Sequence, residues 1–347
     1  MYRRDFLKQG ALAAFSLSSF RSATFSQHRP GQQNAAQKRL PIIDMHLHAL
    51  SLSDFPFKGP NCTGDQNLVY LGVDPTKPFE LADVKRCKSP IPAPQTEEKR
   101  MTESLEMMRR YNIRRAVTSG DLLDKWYDFA PDKIIRALSF SSRERSPDEY
   151  RRLYKEGRFT VFAEVGIQYR GYRPDDPLYD PYFALAEQLD IPVGVHLGEG
   201  PPGGVHILGP SSKYRAGLGS PFTLEEVLLR HRKLRLYVCH YGSPLVDEMI
   251  AMLFSHPNLY VDISCNNWAN PRKQFYDHLR KMVEAGFEKR IMFGSDQMAW
   301  PAMIGKAVES TEKAPFLNAS QKRDILYNNA ARFLRLSKED IARDHMT

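Results

Sequence analysis

No apolar run in this chain approaches the roughly 20 residues that cross a bilayer as a helix, and its mean hydropathy of −0.48 argues against a polytopic membrane protein. Cysteine is scarce, with four in 347 residues and no Cys-x-x-Cys pair, so the sequence does not support a structural zinc knuckle. A dense basic tract interleaved with aromatics is missing too. The formal charge is +8, yet the cations alternate with acids, as in Arg143-Glu-Arg and Asp148-Glu-Tyr-Arg-Arg. That pattern reads as solvated helix faces, and no nucleic-acid partner is expected. What remains is ordinary globular composition, 42% hydrophobic and 26% charged. The length suits one large barrel or two average domains.

The N-terminus reads as an address. Tyr2-Arg-Arg-Asp-Phe-Leu-Lys8 precedes a mildly apolar stretch from Gly10 to Phe20, and residues 1–26 look like a twin-arginine export signal. The stretch is too short for a stable membrane anchor. The expected partner is therefore the export machinery, and the expected location is the periplasm or another exported site. Residues 27–39 are a polar linker without apolar periodicity, and a single domain is expected over residues 40–347. Export changes how the cysteines are read. Cys62 and Cys87 share a long loop region and could close a disulfide in an oxidising compartment, although spacing leaves this open. Cys239 and Cys265 lie in or beside apolar segments and read as buried inert thiols.

From residue 40 onward, short apolar runs alternate with amphipathic segments. Strands are expected at 40–47, 115–118, 134–140, 160–167, 191–197, 234–240, 259–263 and 290–294. Helices are expected at 96–111, 147–155, 181–189, 223–232, 245–254 and 271–285, with a closing helix at 320–336. Continuous apolar runs of this length fit strands buried on both faces of a parallel sheet. Eight of them over about 255 residues, each followed by a helix, predict an α/β fold of (β/α)₈ TIM-barrel type. Two excursions, residues 49–95 and 198–221, follow strands. They should rise from the C-terminal face, where barrel active sites sit.

Candidate chemistry gathers at the strand ends. Ile42-Ile-Asp-Met-His46-Leu-His48 closes the first strand, and alternation turns His46 and His48 to the same side. Paired neutral imidazoles suit zinc and similar divalent ions. His196 closes the run from Ile191, His240 closes the run from Leu234, Asp296 follows Ile291-Met-Phe-Gly-Ser, and Glu164 sits in Val161-Phe-Ala-Glu-Val-Gly. Four of the ten histidines thus end predicted strands. A single such histidine would more often be a satisfied core residue, but the set reads as a site.

This ordered set resembles the amidohydrolase superfamily, and its amidohydrolase-related ("family 2") branch most. His46-x-His48, His196, His240-Tyr-Gly, Gly294-Ser-Asp296 and Tyr327-Asn-Asn-Ala-Ala-Arg-Phe-Leu-Arg-Leu336 carry the resemblance, which covers residues 40–336. It implies a (β/α)₈ barrel and a divalent metal, often zinc or manganese. Hydrolysis of C–N, C–O or P–O bonds is the usual reaction, with decarboxylation or hydration in some members. It would make His46, His48, His196 and Asp296 the metal ligands. Asp296 would also be the general base, and His240 would stabilise charge on the substrate oxygen. Glu164 has three readings. It could bridge two metals with His240 on the second, hydrogen-bond a ligand histidine, or be a buried structural carboxylate. One ion or two therefore stays open.

Substrate contacts are read from position alone. Arg215 in the second excursion could grip a carboxylate bidentately. Tyr169 and Trp300 could line the mouth with Asn266 and Trp268, and His206 could face substrate or solvent. His231, His256 and His278 read as surface residues of outer helices. The expected substrate is a small carboxylate- or carbonyl-bearing molecule. Rival readings are a decarboxylase or hydratase with the same ligands, a metal-dependent deoxyribonuclease, and a non-catalytic periplasmic metal-binding protein. A homo-oligomer is compatible with all of them.

Overall fold

The computed structural model describes residues 39–55, 58–72, 74, 76–77, 84–204 and 212–346. The export signal at 1–26, nearly all of the polar linker and His206 lie outside the described residues. Among these residues no helix is long and apolar enough to cross a membrane.

Eight parallel strands form one sheet in chain order. They are β1 (Ile42–His48), β2 (Ile113–Ser119), β3 (Ile134–Leu138), β4 (Val161–Val165), β5 (Val193–His196), β6 (Leu236–Cys239), β7 (Leu259–Asp262) and β8 (Ile291–Met292). Each lies within a few residues of its expected place. Closure between the first and last strands falls just beyond β8, where Met45 N–H donates to the Phe293 carbonyl (2.9 Å) and Asp296 N–H to the His46 carbonyl (2.7 Å). Asp44 adds a buried strut, since its Oδ1 accepts from the backbone N–H groups of His46 (3.0 Å) and Ser295 (2.8 Å).

The wall has two apolar sides. Ile43, Val117, Ala137, Val161, Tyr237 and Met292 come from six different strands yet form one buried cluster, which therefore fills the barrel interior. Tyr327, Ala330 and Phe333 of the closing helical segment join it. The larger cluster packs residues such as Phe162, Val193, Leu236 and Val261 with Met108, Tyr150, Phe183 and Leu279 of the outer helices.

Two of those helices begin on clear local caps. Helix α1 (Glu97–Arg110) is capped by Thr96, carries Glu97 and Glu98 in its first turn and ends on Arg109 and Arg110, matching the helix dipole. Helix α2 (Leu123–Phe129) is two turns long. Helix α3 (Pro147–Lys155) opens with a capping box between Ser146 and Glu149 and with Pro147 in its first turn. The expected closing helix is interrupted. It runs as Ala319–Arg323, a π turn Asp324–Asn328, and Asn329–Phe333. The wider turn frees the Ile325 carbonyl to accept from Phe293 N–H (2.8 Å), as π-bulges commonly do by breaking the regular ladder.

The first excursion is held down at several points. Cys62 and Cys87 form a disulfide, a cross-link of the kind that contributes about 3 kcal/mol by restricting the unfolded chain. Val69–Tyr70 pairs antiparallel with Lys85–Arg86. Gly64 N–H donates to the Trp268 carbonyl (2.7 Å) and Arg272 N–H to the Gly64 carbonyl (2.7 Å). A Cβ at position 64 would stand 1.5 Å from the Asn270 carbonyl oxygen, so only glycine permits this docking. We expect Gly64→Ala to cost about 3 kcal/mol by overpacking. A urea midpoint unchanged from wild type would refute the contact.

Candidate metal centre

The strand ends bring six donor side chains to one point. His46 Nε2 lies 3.2 Å from His48 Nε2, so the alternation argument holds at the level of atoms. Asp296 Oδ1 is 3.0 Å from His48 Nε2 and 3.7 Å from His46 Nε2. Glu164 stands between two imidazole pairs. Its Oε2 is 3.6 Å from His46 Nε2 and 3.7 Å from His48 Nε2, while its Oε1 is 3.1 Å from His240 Nε2 and 3.7 Å from His196 Nε2. The ligand atoms of His46, His48 and Asp296 all lie within 4.8 Å of one another, as do those of His46, Glu164 and His240.

Local backbone geometry aims these groups. The three residue steps of β1 from Asp44 to Leu47 span only two of β2 from Ala116 to Thr118, and a similar shift separates Phe162 from Val165 against β5. Such bulges re-aim side chains. Beyond the strand ends, His240 (φ 58°), Tyr241 (φ 43°), Cys265 (φ 56°) and Asp296 (φ 50°) adopt left-handed backbone. That conformation costs a non-glycine residue about 1 kcal/mol or more and gathers at functional sites.

The outer nitrogens of His46, His48 and His240 are engaged, whereas His196 Nδ1 is buried without a hydrogen-bond partner among the described residues. His46 Nδ1 is 3.2 Å from Asp262 Oδ2 and 3.0 Å from Ser264 Oγ. His48 Nδ1 is 3.2 Å from Ser119 Oγ. His240 Nδ1 is 3.3 Å from the Ser264 carbonyl, which can only accept. A neutral ring that donates from Nδ1 presents a lone pair at Nε2, and these lone pairs point at each other and at carboxylate oxygens. At His240 the conflict is plain, since Nδ1 faces a carbonyl and Nε2 lies 3.1 Å from Glu164 Oε1, and a cation, either a proton or a metal ion, resolves it. The donor set, four imidazoles and two carboxylates, fits a divalent metal.

Electrostatics agree. Burial pulls His46 down, but Cys239, Asp296 and Glu164 oppose it, and its pKa ends well above the ordinary value. His240 is raised against burial by Glu164 and Asp296. Burial alone would raise the two carboxylates, but the facing imidazoles hold Glu164 well below the usual range and Asp296 below it. His196 goes the other way, lowered to about 4 by burial, so it is neutral, and its Nε2 lies 2.9 Å from the Tyr169 hydroxyl.

Other expected site residues separate into two groups. Tyr169 reaches the centre. Arg215 does not: it is exposed, and its Nη1 donates to the carbonyls of Ser212 and Tyr214 in its own loop. Trp300 is 3% exposed, packs edge-on against Phe55 and donates Nε1–H to the Gly59 carbonyl. It therefore supports the first excursion rather than lining the mouth. Trp268 and Asn266 are buried as well, donating to the carbonyls of Ser295 and His240. His231 is not a surface residue, because Asp180 and Glu187 draw it into a buried pair of contacts. His256 and His278 are half-buried. Of the cysteines outside the disulfide, Cys239 is buried and Cys265 is half-buried.

Asp262 was not singled out from sequence, although it ends the apolar run Leu259-Tyr-Val-Asp as the histidines end theirs. It is fully buried and accepts at Oδ1 from His240 N–H (2.8 Å) and Ser264 N–H (3.0 Å). Burial would raise its pKa, but His46 and His240 hold it low. An amide at this position would present NH₂ to His46 Nδ1 and drive the ring proton to Nε2, away from the metal-binding tautomer. We expect Asp262→Asn to weaken metal affinity about 10- to 100-fold, read by competition with a chromogenic chelator. Undiminished affinity would remove Asp262 from the centre.

The solved structures most like this one include an uncharacterised TIM-barrel protein from Bordetella bronchiseptica, 20% identical with TM-score 0.57, covering 88% of this chain and 100% of that one. A probable 2-pyrone-4,6-dicarboxylic acid hydrolase from Acinetobacter baumannii is 13% identical with TM-score 0.55 over 86% and 100% of the two chains. A dihydroxybenzoic acid decarboxylase from Polaromonas, with bound manganese and an inhibitor, is 15% identical with TM-score 0.55 over 87% and 99%. At these identities the likeness is one of fold. Comparison with curated proteins finds no match. The sequence itself matches the family described as Amidohydrolase over residues 43–336, from β1 to the end of the closing helical segment. With its histidines and acids at the ends of eight parallel strands, the chain belongs to the amidohydrolase family.

Proposed function

We propose that the protein is a metal-dependent hydrolase that cleaves a C–N, C–O or similar bond in a small carboxylate- or carbonyl-bearing molecule. In this reading His46, His48 and Asp296 would hold a divalent ion, and Glu164, His196 and His240 could hold a second. When bound, such an ion would supply water of lowered pKa and a Lewis acid for a substrate oxygen. Zinc suits this donor set, and manganese is the alternative.

The observation that carries the reading is the placement of Asp296. Its carboxylate is held ionised by the facing imidazoles and stands 3.0 Å from His48 Nε2. It can accept a proton from water at the centre and return it to the leaving group. Tyr169 keeps its proton, because burial together with Glu164 raises its hydroxyl well above the usual value, so it can donate to a substrate oxygen. The 3.1 Å contact between His240 and Glu164 favours one further variant. With a single ion, that pair stays hydrogen-bonded and His240 faces the substrate oxygen instead.

The test is a panel of lactones, amides and carboxylates turned over by the metal-loaded chain in ¹⁸O-water. Label in the product acid supports hydrolysis. Release of CO₂ without label would replace it with decarboxylation, and a strict preference for neutral or cationic substrates would count against the substrate class. Export through a twin-arginine signal to the periplasm is proposed alongside, supported by the Cys62–Cys87 disulfide, since such bonds persist in oxidising compartments.

A further inference from the structure

His48, Glu164 and Tyr169 line a cavity of about 1100 Å³. The same cavity is lined by three further segments, the loop after β3, the turn after β4 and the end of the second excursion, and by the acids Asp54, Asp121 and Glu144. The three segments contribute Arg143, Arg170 and Lys213. None of the three has an ion-pair partner among the described residues. Arg158 in the same cavity is different, because Asp124 already neutralises it at 2.8 Å.

This lining is built rather than incidental. Tyrosine hydroxyls donate to the carbonyls of Ser139 (Tyr150, 2.6 Å), Ser141 (Tyr179, 3.0 Å) and Arg145 (Tyr182, 3.0 Å), so the loop after β3 is tied to buried rings at three points. Within it Arg143 takes left-handed backbone (φ 56°). Its guanidinium lies 5.3 Å and 5.5 Å from the ring centroids of Tyr172 and Tyr179, within cation–π range. Gly171, also left-handed (φ 80°), lets the turn carrying Arg170 approach Lys213 closely, since a Cβ there would stand 2.6 Å from Lys213 Cβ. Three cations without an ion-pair partner among the described residues thus line the cavity that also reaches His48 and Glu164 of the candidate metal centre.

We infer that Arg143, Arg170 and Lys213 form an oxyanion subsite that holds a carboxylate of the substrate away from the bond being cleaved. This rests on the hydrolase reading above and deepens it: the substrate carries its carboxylate on the side of the molecule remote from the metal. Arginine pairs bidentately with carboxylate and lysine adds a point charge.

The test is isothermal calorimetry on the zinc-loaded full chain, using glutarate and its neutral diamide as probes. Zinc attracts carboxylate in every variant, so the comparison between variants isolates the side chains. Glutarate should bind wild type at least tenfold more tightly than the diamide. Arg143→Gln/Arg170→Gln should weaken glutarate at least tenfold, with the diamide changed less than twofold. Arg158→Gln, which removes a paired charge from the same cavity, should change glutarate affinity less than twofold. Equal affinity for the two probes, no binding of either at millimolar concentration, or an equal loss in Arg158→Gln would overturn the subsite. Thermal melting checks that each variant is folded. Turnover plays no part in this readout. Failure of the hydrolase reading would appear instead as product formation that survives Asp296→Asn, or as no product at all.

Discussion

Asp296→Asn should lower kcat/KM by about three orders of magnitude, within the range for removal of a positioned general base. The substitution keeps the shape of the side chain. It leaves intact the bond from the residue 296 N–H to the His46 carbonyl, which helps close the barrel. What it removes is the negative charge beside His48 and His46 and the capacity to take a proton. Because the carboxylate is also a candidate ligand, metal content must be measured on the same sample and the rate expressed per bound ion. A loss below tenfold per ion would mean that another group takes the proton, and the role of Asp296 would fall.

His46→Ala should reduce metal retention by more than about 100-fold, a larger effect than that expected for its buried partner Asp262. Two things are lost together. The ring supplies the nitrogen that meets His48, Asp296 and Glu164 within 3.2–3.7 Å. Its removal also leaves Asp262 Oδ2 buried without the imidazole that now offsets its charge, and an unpaired buried carboxylate is costly. The variant should therefore be less stable as well as metal-poor. Equilibrium dialysis against a zinc buffer reads the first effect and urea unfolding the second. Wild-type metal retention in this variant would show that the paired imidazoles of β1 are not the core of the site.

Much of this was legible in the chain because two signals coincide. The eight apolar runs are short and bounded by polar segments, which gives strands. A histidine or acid ends several of them, which places donors at the mouth of the barrel. Helix α3, marked by Ser146-Pro-Asp-Glu, was legible to the residue. Other elements hid for identifiable reasons. The helix Ala302–Glu312 has Gly305 in its middle, which weakens the helical signal. The fold needs that glycine because a Cβ there would stand 2.7 Å from the Tyr111 ring. Helix α2 is too short to show a period.

Within the site, the paired imidazoles were readable from alternation, but the direction of a side chain beyond a strand end was not. Trp268 and Trp300 turn inward to hydrogen-bond carbonyls, and Arg215 turns to its own loop. The cations facing the cavity are spread from position 143 to position 213, and only the barrel brings them together. Glu164 illustrates the remaining limit. Its place in β4 was predictable, but that its two oxygens face different imidazole pairs depends on the shifted register of that strand.

The most direct test of the whole account is metal quantification by mass spectrometry on the purified, zinc-loaded chain and on its Glu164→Ala variant. Two ions per wild-type chain, falling to one in the variant, are what the geometry of the six donors predicts. A wild-type chain that retains no divalent ion after loading and desalting would contradict it.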